Sequence, residues 1–348
     1  MKVGFRTWLQ EELHNLVKVE KSRRPRVIPL LAALSTGVPL LTAYFLHQFA
    51  AGLLASTGGL IILYYTEGKL LRKMTWMISC ATGFIVSFTA GSLLGFNPFL
   101  SCFLLALLAF LINLALNHFG MKPPGSFLFI IITTIAICMP YDLHKLPLKS
   151  ALFSAGCFFS CLLVLLHHLI FVRNEAGIDQ EAGRKSARRN MLESCVLALL
   201  VGSSLALGYA LGLNKPYWIP ISCAAVMQGI DVRHVWQRSF QRSCGTVIGL
   251  GIAWAILSFR FSVLEICIIV PVLQFCAIYF IARHYGLVTV FFTPVAIFMA
   301  EAGSALKADP DQLISARLLD TLLGCALGTL GGWILHDLLL GPKSKQRA

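Results

Sequence analysis

No aspartate, glutamate, lysine or arginine occurs between Val27 and Thr66, and none between Met74 and Asn117. Each of these charge-free stretches has room for two membrane crossings at ~20 residues apiece. Charged side chains make up only 13% of the chain, about half of what an ordinary soluble domain carries. Such scarcity excludes a water-soluble fold and makes chain length a measure of span number. No GxxxxGK[ST] loop is present, so direct ATP drive by this chain is excluded, and neither an HExxH nor a GxSxG pattern occurs. The 11 cysteines show no zinc-type spacing and no secreted disulfide pattern. They sit mostly in apolar runs, as Cys80, Cys102, Cys157, Cys161, Cys195 and Cys267 do, and read as small packing residues. The expectation is a non-enzyme with no metal and no cofactor.

What is present is long apolar runs, broken at charges, Gly, Pro and Asn. These predict an all-α polytopic membrane protein of about twelve transmembrane helices. Arg23, Arg24 and Arg26 precede the first run, which lacks a small-residue cleavage site and reads as an uncleaved anchor. The second, fifth, eighth and eleventh spans, at 50–66, 126–141, 216–229 and 286–302, are short for a full crossing. Pro216 and Pro220 fall in the first turns of the eighth, where a missing amide proton costs least. Short or Pro-interrupted helices at matching places in two halves are where transporter binding sites are often built. With the amino terminus inside, 23 of the 29 Lys and Arg residues fall on the cytoplasmic side, which predicts two cytoplasmic termini. The formal charge of +13 then reports topology and contact with anionic lipid headgroups, not nucleic acid binding.

The hydrophilic stretch Arg173 to Asn190 divides two halves that share residues in one order. Ser79, Cys80 and Thr82 match Ser243, Cys244 and Thr246; His118 and Gly120 match His284 and Gly286. Thr133, Ala136, Ile137 and Met139 match Thr293, Ala296, Ile297 and Met299; Lys149, Gly156 and Cys157 match Arg317, Gly324 and Cys325. The expected organisation is a cytoplasmic segment 1–26, a six-helix repeat 27–172, a linker 173–190, a second six-helix repeat 191–340 and a tail 341–348. Both repeats start on the same side, so they are parallel and related by an axis along the membrane normal. The central axis is the expected pathway.

The stretch Lys215 to Trp254, KPYWIPISCAAVMQGIDVRHVWQRSFQRSCGTVIGLGIAW, resembles the signature of the fusaric acid resistance or aromatic acid exporter family. Tyr217 and Trp218 open a short helix, Gln228 ends it, and Arg238, Arg242, Gly245, Thr246 and Gly249 follow a basic loop. RLLDTLLGCALG, with Arg317, Asp320, Thr321, Gly324 and Gly328, is similar to that family's closing helix. The resemblance is clearest over 191–336 and implies a secondary exporter of organic anions, aromatic carboxylates among them, in a bacterial inner membrane. Plant anion channels of the aluminium-activated malate type look similar at the level of six-span units. The first half departs from the pattern, with Met74 and Ile78 where Arg238 and Arg242 stand.

Arg238 and Arg242, spaced i, i+4, share a face if their segment is helical, and guanidiniums can grip a carboxylate through two parallel hydrogen bonds. They read either as an anion-concentrating pair at the cytoplasmic mouth or as positive-inside anchors. Tyr217 and Trp218 read as interfacial anchors or as a stacking surface; Gln228 as a backbone partner or a pathway residue. Arg317 and Asp320, spaced i, i+3, read as a structural ion pair or as residues of the substrate pathway. Glu301, Glu265 and His284 are the candidates for proton coupling, since an ionisable group in a span is expensive and functional by default. His284 equally suits a turn. Gly245, Gly249, Gly251, Gly324, Gly328, Gly331 and Gly332 offer smooth faces for close helix packing. Transport, carrier-like or channel-like, competes with a membrane scaffold that recruits a partner through Arg173 to Asn190. The expected partners are an organic anion and lipid, with a homo-oligomer also open.

Overall fold

The computed structural model describes residues 27–120, 124–172, 186–213, 215–259, 261–305 and 310–339, without the side chains of 300–310, 312, 313 and 338. The segments 1–26 and 341–348, residues 173–185 of the linker and the side chain of Glu301 therefore lie outside the described residues. Among the described residues the chain forms twelve α-helices and no strand, an all-α polytopic architecture. The first six are α1 (Val27–Phe45), α2 (Phe49–Gly58), α3 (Leu70–Leu94), α4 (Pro98–His118), α5 (Phe127–Cys138) and α6 (Leu146–Phe171). The second six are α7 (Ala187–Ala210), α8 (Trp218–Met227), α9 (Val232–Ser258), α10 (Val263–Phe280), α11 (Tyr285–Ala305) and α12 (Pro310–Trp333). A 3₁₀ turn, Gly59–Tyr64, extends α2, and a π turn, Ile334–Leu339, extends α12.

Eight of these helices are long and apolar enough to cross a bilayer. Three apolar segments are shorter, Phe49–Tyr64, Phe127–Cys138 and Trp218–Met227, at three of the four positions the sequence marks as short; the fourth, α11, is as long as α4, 21 residues each. A ten-residue helix spans about 15 Å, half of the ~30 Å hydrocarbon core, so α8 cannot cross alone. It does not meet lipid either, because all of its residues from Trp218 to Met227 are buried. The long helices enclose the short ones and turn Leu107, Leu111, Phe158, Leu162, Val247 and Val272 outward, where lipid tails would cover them.

Helix starts are set by local acceptors. Asn97 accepts the N–H groups of Phe99 and Leu100, and Ser262 and Glu265 form a reciprocal capping box on α10. Before α6, the Asp142 carboxylate accepts the N–H groups of Lys145 and His144, which holds its pKa below the usual range. Asp231 caps α9 through the N–H of His234 at 2.9 Å, so the helix begins well before its long apolar run. Hydropathy finds where a helix becomes apolar; the cap sets where it begins. Arg238 and Arg242 are thus helical residues of the first three turns of α9, not loop residues.

The pairings of the two sets run in parallel. α1 packs on α2 as α7 does on α8, α2 on α6 as α8 on α12, and α3 on both α5 and α6 as α9 on both α11 and α12. The sets also interlock, since α1 lies against α10 of the other set and α7 against α4. Tyr64 stands as far before Cys80 as Gln228 before Cys244, and both reach one turn. The Tyr64 hydroxyl donates to the carbonyl of Gly125, and Gln228 Nε2 donates to that of Pro124 at 3.1 Å.

Gly156 on α6 and Gly324 on α12 mark the closest approach of long and short helices. A Cβ at Gly156 would run into the carbonyl of Ala55 on α2, and one at Gly324 into that of Ile219 on α8. Gly251 has open space around its missing Cβ, so it is not a packing contact. Gly156→Val or Gly324→Val is therefore expected to lose the monodisperse detergent-solubilised peak in size-exclusion chromatography, whereas Gly251→Val keeps it; overpacking costs about 1–3 kcal/mol or more. Tyr64→Phe removes the side-chain donor to the Gly125 carbonyl, and Gln228→Ala removes one of the two donors to the Pro124 carbonyl, the other being the N–H of Phe127, together with an acceptor of Arg238. Each is expected to lower thermal stability by about 1–3 kcal/mol in a melting assay.

Candidate functional site

A cavity opens where the two sets of helices meet, lined from α1, α2 and α5 on one side and α8 to α12 on the other. Its volume is about 160 Å³, enough to hold several waters. Arg238 and Arg242 enter it from α9, Arg317 from α12, Trp218 and Gln228 from the two ends of α8, and Tyr285 from the first residue of α11. The structure thus brings together five residues that the sequence singles out, from three separate helices.

Each guanidinium is held differently. Arg238 donates from Nη1 to the carbonyl of Ala225 at 3.1 Å and to Gln228 Oε1 at 3.2 Å, and lies 4.7 Å from the centroid of the Tyr285 ring. Gln228, fixed by its own bond to Pro124, orients Arg238. Arg317 is buried with its guanidinium against the face of Trp218, a cation–π contact that strengthens as water is removed. Arg242 has only a 3.4 Å contact from Nη1 to the Tyr285 hydroxyl, and its buried Nε has no hydrogen-bond partner. Arg238 and Arg242 sit one turn apart; at ~6 Å and an effective dielectric of ~20, two like charges repel by about 2–3 kcal/mol.

The remaining wall is nearly apolar. Leu60, Leu63, Phe127, Leu128, Ile131 and Ile135 face the cavity from the first set. Thr57, Thr293 and Thr321 line it too, but each directs its hydroxyl hydrogen to a carbonyl one turn back in its own helix, Leu53, Thr289 and Arg317 respectively. Thr36 and Thr289 do the same. Donor capacity is thereby concentrated in the guanidiniums.

Other candidates take other places. Tyr217 and Trp218 are buried, 7% and 3% exposed, so the interfacial-anchor reading fails for both. Trp218 lines the cavity; Tyr217 packs on it with ring centroids 4.8 Å apart and is not among the lining residues. Asp320 is buried on α12, also outside the lining. Glu265 is exposed at the start of α10 and accepts the N–H of Ser262, which makes it a helix cap and corrects its assignment to proton coupling. His284 lines no part of the cavity; its Nδ1 accepts the N–H of Leu287 and holds the turn into α11. The sequence reading missed Tyr285, the neighbour of His284, although its counterpart Phe119 in the matching NHFG stretch shows an aromatic at that position.

No solved structure matches the chain. Two curated proteins do: the uncharacterized membrane protein YvaC of Bacillus subtilis (strain 168), 38% identical over 126 residues, and the uncharacterized protein YhfK of Escherichia coli (strain K12), 30% identical over 141 residues. These alignments cover 36% and 39% of this chain but only 20% and 19% of the relatives, so the matched part spans about a fifth of their length. The model of the family described as fusaric acid resistance protein-like matches residues 201–331, the stretch from α7 to α12.

Proposed function

We propose that this membrane protein is a secondary transporter that exports organic anions, aromatic carboxylates among them, with both termini in the cytoplasm of a bacterial cell and energy from the membrane potential or a proton gradient. One observation carries the reading: the Nε–H of Arg242 is buried without a partner in a cavity that two more guanidiniums also line. A buried donor left unmet costs about 1–3 kcal/mol. A carboxylate between Arg238 and Arg242 removes that cost and the repulsion of the pair together. The apolar wall of Leu63, Phe127 and Ile131, with Trp218 and Tyr285, suits a flat hydrophobic body behind that carboxylate. For an inside-negative cell the direction of drive follows, since each monoanion leaving gains ~2.3 kcal/mol per 100 mV.

The family segment supports a transport role, and Lys and Arg counts support the orientation, with 23 of 29 on the linker side. Liposomes containing the purified protein are expected to move benzoate in response to an imposed potential or proton gradient. The double variant Arg238→Gln, Arg242→Gln is expected to weaken apparent benzoate affinity about tenfold or more, the loss of one charge-assisted hydrogen bond. Flux by the double variant with unchanged concentration dependence would remove the arginines from the reading.

A further inference from the structure

Gln274 on α10 is fully buried, and neither its Oε1 nor its Nε2 has a hydrogen-bond partner. An amide can make up to four hydrogen bonds, and the lipid-facing interior offers no substitute for them. Its position is informative. Pro271, one turn to one side, packs against Gly37 of α1; Ile278, one turn to the other, and Ile281 beyond it line the cavity. Residues at i, i+4 and i+7 share one helix face, so Gln274 continues the face that α10 turns toward the cavity.

Its helix α10 packs on both α1 and α11, and each of the three carries an interior proline: Pro39 in α1, Pro271 in α10 and Pro294 in α11. Proline removes a ladder hydrogen bond and leaves a helix able to bend. Their counterparts in the other set, α7, α4 and α5, have no interior proline. The interface of α4 with α7 also has its polar groups closed on one another. Asn113 donates to Ser194 at 3.0 Å and accepts from Ser126 at 2.8 Å, and Asn190 donates to the Leu114 carbonyl at 2.9 Å. One interface is locked by mutual hydrogen bonds. The other has proline-containing helices, a single thiol contact from Cys267 to the Leu40 carbonyl at 3.7 Å among the hydrogen bonds seen between α1 and α10, and an amide without a partner among the described residues.

We infer that the route out of the cavity passes between α1, α10 and α11, and that Gln274 is the polar station on it, hydrogen-bonding the carboxylate or its accompanying water as the wedge opens. The inference rests on the transport reading and adds a path and a residue to it. An unmet amide lowers the stability of the closed state and is met in the open one, which eases passage between them.

The test uses full-length protein in vesicles with benzoate as the probe. Gln274→Leu keeps the volume and removes the unmet groups, so its apparent melting temperature is expected to rise by about 2–4 °C. Its benzoate flux is expected to fall roughly tenfold or more, while benzoate binding to the detergent-solubilised protein stays within about twofold, since no cavity donor has changed. Gln274→Cys is expected to react with a negatively charged methanethiosulfonate in vesicles, located by peptide mass spectrometry against the native cysteines. A Gln274→Leu protein that is stabilised yet carries benzoate at the wild-type rate would place Gln274 off the route, as would an inert Gln274→Cys. Loss of stability in Gln274→Leu would show that the amide has partners and overturn the inference as well. If wild-type vesicles carry no benzoate but Gln274→Cys is modified, the wet path stands and the substrate reading falls.

Discussion

A bilayer interior supplies no hydrogen-bond partners, so each polar group carried into it must be met by the chain itself or by enclosed water. Most of this protein obeys that constraint within single helices or between neighbours. Ser and Thr hydroxyls such as Thr133 and Thr134 return to carbonyls four residues back, and Gln228 and Tyr64 satisfy the turn before α5. The short helices depend on it as well: α8 is about half as long as a hydrocarbon core is thick, and its residues from Trp218 to Met227 are all buried in protein. Among the described residues a few buried polar atoms have no hydrogen-bond partner, Trp76 Nε1, Ser92 Oγ, His167 Nδ1 and Ser222 Oγ with them; Arg242 Nε lies in the cavity and both polar atoms of Gln274 lie on the helix face that leads to it. Native structures retain few such groups, and those they keep ask for a cause.

Interlocking of the two helix sets places the cavity. Because α1 leans on α10 and α7 on α4, neither set closes around its own short helices, and both face a common interior. Half-helices then end beside that interior, which brings Gln228 and Tyr285 to it from a helix end and a helix start. Gly156 and Gly324 let this happen, since a side chain at either would hold a long helix off a short one. Packing of backbone on backbone thus comes before any chemistry in the cavity.

The helix number and three of the four helices marked as short were legible in the sequence because hydropathy, Pro and Gly are local signals; α11 runs on to 21 residues. Arg238 and Arg242 were legible as a pair for the same reason, as helical spacing needs only four residues. Cavity membership was not. Whether an ionisable residue faces a cavity depends on which distant helices meet it, and Glu265 illustrates the failure: its place near an apolar run suggested a membrane carboxylate, whereas Ser262 three residues earlier makes it a cap. His284 failed through its neighbour, since the turn it stabilises aims Tyr285 inward instead. Gln274 carries no charge and interrupts no apolar run strongly enough to be noticed. Only its lack of partners distinguishes it.

All three cavity guanidiniums come from the second set, while the first contributes mainly aliphatic and aromatic side chains. A symmetric dimer of one such unit is denied this arrangement, because every substitution appears twice across the axis. Three arginines would become six around one small cavity, with repulsion of several kcal/mol at close quarters, and the apolar wall would be lost. Two unequal sets in one chain separate the tasks. Leu60, Leu63, Phe127, Leu128, Ile131 and Ile135 of the first set give the cavity an apolar wall opposite the arginines, whereas Met74 and Ile78, at the positions that match Arg238 and Arg242, lie outside the lining, Ile78 exposed. The same freedom acts at the two interlocking interfaces, where one set of contacts was closed by Asn113, Ser126 and Ser194 and the other left with prolines and Gln274. Rigidity on one flank gives the opposite flank something to move against.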